Sequence, residues 1–177
     1  MGAATGGRAK SMNGPLLSTY LNDHLAGATA GRNLARRAAA NNKATQYGAQ
    51  LADLAREIAE DRVVLQHLMA SLDVTPNRAK TAAATAAELL ARAKANRRLF
   101  SYSPLSRVDE IEGLVIGVRG KLALWTALRT LQATESRIAA IGLPALIERA
   151  EDQLARLEDL RLGAFQEAML GAAPDRD

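Results

Sequence analysis

Apolar residues recur at three- and four-residue intervals over most of this chain, the period of an α-helix with one buried face. The clearest stripe is Tyr47, Leu51, Leu54, Ile58, Asp61, Leu65, Leu68 and Leu72. It predicts a helix over about 45–72 with Asp61 in the middle of its apolar face. Ahead of it, Leu17, Tyr20, Leu21, His24, Ala28, Gly31, Leu34 and Ala38 line a helix that Gly14-Pro15 opens and Asn41-Asn42 ends. Ser103-Pro104 caps a helix reaching about Leu131, with Leu105, Val108, Ile111, Val115, Val118, Leu122, Trp125 and Leu128 in register. Leu114, Ile116 and Leu124 widen that surface, which predicts the most buried helix of the set. A last long helix runs from Gly142-Leu143-Pro144 to about Leu170 through Ile147, Ala150, Leu154, Leu157, Arg161 and Ala164.

Two further segments complete the pattern. Thr75-Pro76 restarts the chain as a cap and first-turn pair, predicting a helix over about 76–96. Its centre, Thr81 to Ala87, is all Thr and Ala, which lets a neighbour approach closely. Residues 133–142 form a connector with a short turn near Ile138–Ile141. Gly113, Gly117 and Gly120 interrupt the fourth predicted helix at three- to four-residue spacing. Each costs about 1 kcal/mol against Ala inside a helix, so close packing against a neighbour is the expected compensation. Residues 1–14 and 171–177 read as disordered tails, leaving 15–170 as one helical domain.

Composition supports an all-α fold. Hydrophobic residues make up 48% of the 177 and aromatics only 3%, so Ala and Leu carry the apolar content. There is no cysteine, which excludes disulfides, thiolate metal sites and a Cys nucleophile. The net charge of +4 is spread over helices that also carry Asp and Glu, so no dedicated nucleic-acid face stands out. No apolar run approaches the ~18 residues of a membrane span. Arg8 and Lys10 have no hydrophobic stretch behind them, so a secretory signal is not expected. Gly6 stands where an N-myristoylation motif wants Ser or Thr. These readings point to a cytoplasmic protein.

The candidate chemistry lies in polar residues on apolar faces: His24, Asp61, Glu112 and Glu151. A buried charge is costly unless paired or bound. These four are therefore expected either to partner one another, with Lys121 or Gln153 joining them, or to form a carboxylate–His metal site. Glu57, one turn before Asp61, is the reserve ligand. Acidic residues are also favoured near the start of a helix by its dipole, which competes with a ligand role for Glu151. No Gly-x-Ser-x-Gly elbow and no phosphate loop is present.

The stretches Leu21-Asn22-Asp23-His24-Leu25, Glu57-Ile58-Ala59-Glu60-Asp61-Arg62 and Glu110-Ile111-Glu112 resemble the metal-facing segments of ferritin-like proteins. The resemblance covers residues 15–170 through helix order and carboxylate placement. It implies an antiparallel bundle of four long helices, with the 76–96 helix in the crossover. The chain departs from the family in lacking Glu-x-x-His: Leu21 stands three before His24 and Val64 three before His67.

Three functions follow as expectations. The first is a non-catalytic bundle without a cofactor that self-associates as a homodimer or binds another protein, through leftover apolar residues such as Leu114, Leu124, Leu160 and Phe165. The second is an iron, manganese or zinc protein using His24, Glu57, Asp61, Glu112 and Glu151. The third is a weak nucleic-acid or polyanion binder using Arg92, Lys94, Arg97, Arg98 and the basic N-terminal tail.

Overall fold

A computed structural model describes Met12 and residues 14–77 and 102–171. The expected 76–96 helix, its basic end and the two tails lie almost wholly outside these described residues. Four long helices carry the fold: α1 (Gly14–Asn41), α2 (Gly48–Ser71), α3 (Pro104–Arg129) and α5 (Leu143–Leu170), with a single turn α4 (Ser136–Ala139) before the last. No strand occurs among the described residues.

The ends follow local chemistry. Ser103 and Ser106 cap the start of α3 reciprocally, satisfying two backbone donors that a helix start leaves free. Asp73 takes a left-handed conformation (φ 58°), while the Val74 N–H bonds the Met69 carbonyl at 2.8 Å and closes α2. The turn from α1 into α2 admits only glycine at position 48. A Cβ there would lie 2.5 Å from the Asn42 carbonyl oxygen.

Cross-helix contacts fix the directions. Asn22 donates to the Thr75 carbonyl and Arg62 to Thr29, so α1 and α2 are antiparallel. Arg107 meets Asn42 and Glu110 meets Arg37, so α3 runs against α1 and in the same sense as α2. Arg107 also meets Glu167, and Lys121 meets Gln153, so α5 runs against α3. The parallel relation of α2 and α3 requires the long connection through residues 72–103. α1 packs on α2, α3 on α5 and α1 on α3.

The stripes face inward. Leu21, Leu51, Leu54, Leu65, Leu68, Ile111, Leu114, Trp125, Leu128 and Leu157 are buried in one continuous core. Each large side chain so buried contributes about 1.5–3 kcal/mol. Leu114, Leu124 and Leu160, read from the sequence as part of an association surface, belong to this core, and only Phe165 of that set is exposed. The surfaces of α3 are broad enough to pack on α1 and α5 together, which consumes the apolar residues that one helix face could not.

Candidate functional site

Two polar clusters and a cleft stand out among the described residues of the bundle. The first cluster sits halfway along it. Asp61 on α2 is 3% exposed and receives Lys121 from α3 at 2.5 Å and Arg149 from α5. Gln153 accepts from Lys121 and donates to Glu57 at 3.0 Å. Arg156 grips Glu57 with two guanidinium nitrogens, at 3.1 and 2.5 Å. Burial pushes the Lys121 amine below its ordinary value, opposed by Asp61. Burial also raises the Glu57 carboxyl, but the bonds from Arg156 and Gln153 outweigh it and hold the group below its usual range. These contacts tie α2, α3 and α5 at one level and set their register.

The second cluster closes one end of the bundle. Arg107 is 7% exposed; its Nε donates to Asn42 at 2.6 Å and its Nη1 to Glu167 at 2.8 Å. Its guanidinium lies 4.6 Å from the ring centre of Tyr47, whose hydroxyl donates to Glu167 at 2.9 Å. Asn42 donates to the Tyr102 hydroxyl at 2.6 Å, and Tyr102 donates to Glu110, which also accepts from Arg37 at 2.7 Å. Burial, together with the nearby Glu110 charge, pushes the Tyr102 phenol up to about 12.

The cleft opens between α1 and α3 and encloses about 290 Å³. Gly113 holds the two helices together at one end, since a Cβ there would lie 2.8 Å from Leu34 Cδ2. Farther along, Gly117 and Gly120 have nothing within 4 Å of such an atom, and both line the cleft. The expectation that all three glycines compensate their cost by close packing therefore holds only at Gly113; the other two keep a wall open. Ile58, Leu65, Leu114, Val118, Leu124 and Trp125 form the apolar interior, while His24, Asp61, Arg62 and Lys121 supply polar groups. Trp125 is 1% exposed and its indole N–H has no acceptor among the described residues.

The sequence-expected site residues separate. His24 and Asp61 border the same cleft, and Asp61 joins Lys121 and Gln153 as described. His24 stacks edge-on to Tyr20 with ring centres 4.5 Å apart, and burial holds its imidazole below the ordinary value against the pull of Asp23. Glu112 lies on the exposed side of α3, 3.6 Å from Arg161. Glu151 is exposed on α5. The four therefore do not converge, because Glu112 and Glu151 sit on the outward sides of their helices. Nor does the set suit a metal ion: the oxygens of Asp61 and Glu57 are taken by cationic side chains. Among the described residues no group of three His, Asp or Glu is clustered to hold one.

Sequence reasoning passed over Arg62, Arg107, Arg149 and Arg156. Spacing carried a signal for two of them: Arg149, Gln153 and Arg156 recur four and three residues apart on α5, facing α2. Arg107 stands four residues before Ile111, in line with the α3 core. Nothing local distinguished Arg62 from a solvated arginine.

No helix among the described residues is long and apolar enough to cross a membrane. Compared with models of protein families, with curated proteins and with solved structures, the chain matches none.

Proposed function

We propose that this chain is a non-catalytic, ferritin-like helical bundle that binds a small apolar molecule in the cleft between α1 and α3. Two antiparallel pairs joined by a long connection, with α2 and α3 running the same way, support the ferritin-like outline. The observation that carries the binding role is the cleft. Its volume of about 290 Å³ is close to the lower end of small-molecule sites, roughly 300 Å³, and its walls are apolar with a few polar groups. Trp125 lines the cleft, and its buried indole N–H has no acceptor among the described residues. Asp61 and Lys121, which line the cleft, belong to the cluster that ties α2, α3 and α5 together.

Trp125 is the only tryptophan, so its fluorescence reports directly on the cleft. Titration with small apolar molecules is expected to change that emission and raise the melting temperature. Gly117→Leu, which fills the opening without a backbone clash, is expected to abolish both responses. A panel of such molecules that leaves emission and melting unchanged overturns the reading.

Self-association is a second reading, favoured by Leu162, Phe165 and Met169, exposed on one face of the last turns of α5. Light scattering coupled to size exclusion is expected to show a dimer that Phe165→Glu dissociates. A monomer at every concentration removes this reading.

A further inference from the structure

The binding role leaves one lining residue without a task. His24 on α1 is half-buried at the cleft, its ring edge-on to Tyr20. Among the described residues it forms no hydrogen bond and no ion pair. The sealed side-chain nitrogens that lack a partner belong to Arg32, Trp125, Arg149 and Arg156, so the imidazole nitrogens keep contact with water. Water and the nearby Asp23 charge are then what an imidazolium has to stabilise it. An apolar occupant removes water from the side of the ring that it covers, which disfavours the charged form. Burial in the fold already holds the imidazole below its ordinary 6.5, against the pull of Asp23.

The other charged groups of the lining balance. Asp23 on α1, Asp61 and Arg62 on α2 and Lys121 on α3 are two acids and two bases. α5 adds none to the lining; its Arg149 reaches Asp61 and Glu60. Lys121 is held by Asp61 at 2.5 Å, and Arg62 by Thr29 and Gln66. With a neutral imidazole the lining carries no net charge; with an imidazolium it carries one positive charge. Free carboxylates titrate near ~4 and lysine near ~10, whereas histidine changes charge between about pH 5 and 8.

Resting on the binding role above, we infer that a proton and the apolar ligand compete for this cleft at His24. The site holds its ligand while the imidazole is neutral and releases it on acidification. Linkage fixes the sign. Affinity is full above the titration of His24 in the empty cleft. Below it, affinity falls by at most about tenfold per pH unit, one proton being taken up for each ligand released. By reciprocity, the bound ligand shifts the His24 titration to lower pH.

The probe is 1-octanol, which has no group that titrates in this range. Its dissociation constant is read from Trp125 fluorescence on the full chain at pH 7.5 and at pH 5.0. It is expected to rise about threefold or more at the lower pH. His24→Gln is expected to flatten that ratio. His67→Gln is expected to keep it, since His67, the only other histidine, is exposed on α2 and off the cleft. A constant that is the same at both pH values overturns the inference and leaves the apolar site standing. A His24→Gln chain with the parent's ratio assigns the effect to another group, Lys121 first, and equally overturns it. No emission response at either pH overturns the binding role as well. Where His24→Gln fails to fold, NMR titration of the two histidine rings in the parent chain decides. Saturating octanol is expected to move the His24 titration to lower pH and leave His67 in place; an unmoved His24 overturns the inference.

Discussion

The two polar clusters use the same chemistry and differ in closure. At the bundle end, Arg107, Asn42, Tyr47, Tyr102, Glu110 and Glu167 satisfy one another in a chain of bonds between 2.6 and 3.1 Å. At mid-bundle, Asp61, Lys121 and Gln153 are equally well partnered, but Asp61 and Lys121 also border an apolar cleft lined by Trp125, whose indole N–H has no acceptor among the described residues. A closed network states how helices are held. An apolar opening beside such a network is where the proposed ligand would sit. Buried charge by itself does not tell these apart; the balance of donors and acceptors does.

The comparison can be broken most forcefully at Asp61. Asp61→Ala leaves the largely buried Lys121 without its counter-ion, and is expected to cost about 3–5 kcal/mol in urea unfolding. Pairing it with Lys121→Met should recover part of that loss, because a buried charge is removed together with its counter-ion.

Arg107→Ala tests the closed end. It removes the bonds to Asn42 and Glu167 and the contact with the Tyr47 ring, and is expected to cost about 2–3 kcal/mol. It should leave the response of Trp125 to apolar ligands intact, since that end of α3 does not line the cleft. The same variant sharpens the acid flank. Hydrogen bonding from Arg107, opposed by burial, holds the Glu167 carboxyl below its usual value. Its contribution is therefore present above that usual value and lost as pH falls through the lowered one, and Arg107→Ala should flatten the decline.

Gly117→Leu separates the cleft from the fold. An exposed helix position with space beyond it gains helix propensity, so the variant is expected to be more stable by up to about 1 kcal/mol while losing ligand response. A variant that binds as before would show that the opening is not the site.

The smallest effect lies at high pH. The folded phenol of Tyr102 sits at about 12 against an ordinary 10.0, so its contribution is intact below pH 10 and lost as pH rises toward 12. Melting temperature should fall across that window, and fall less in Tyr102→Phe.

Much of the fold was legible in the chain because helices report their own buried faces. The stripe from Leu51 to Leu68 is buried where the three–four spacing places it, and Pro104, Gly142 and Asn42 mark boundaries by local backbone chemistry. Asp61 announced itself as a polar residue in an apolar line, and Lys121 and Gln153 lay within its expected reach. Glu112 and Glu151 misled because membership of a wide, partly apolar helix surface does not say which side turns inward. Their helices face two neighbours at once, and the carboxylates lie just beyond the covered arc.

The amino-acid sequence by itself determined the helices, their ends and the cost that any inward charge must meet, since each depends on residues within a turn or two of one another. Which cations answer Asp61, and that Gly117 borders a cleft while Gly113 packs against Leu34, were decided only by the tertiary structure. Those facts depend on the angle and separation at which α1, α2, α3 and α5 meet, and that geometry is set by the packing of the whole core rather than by any local run of residues.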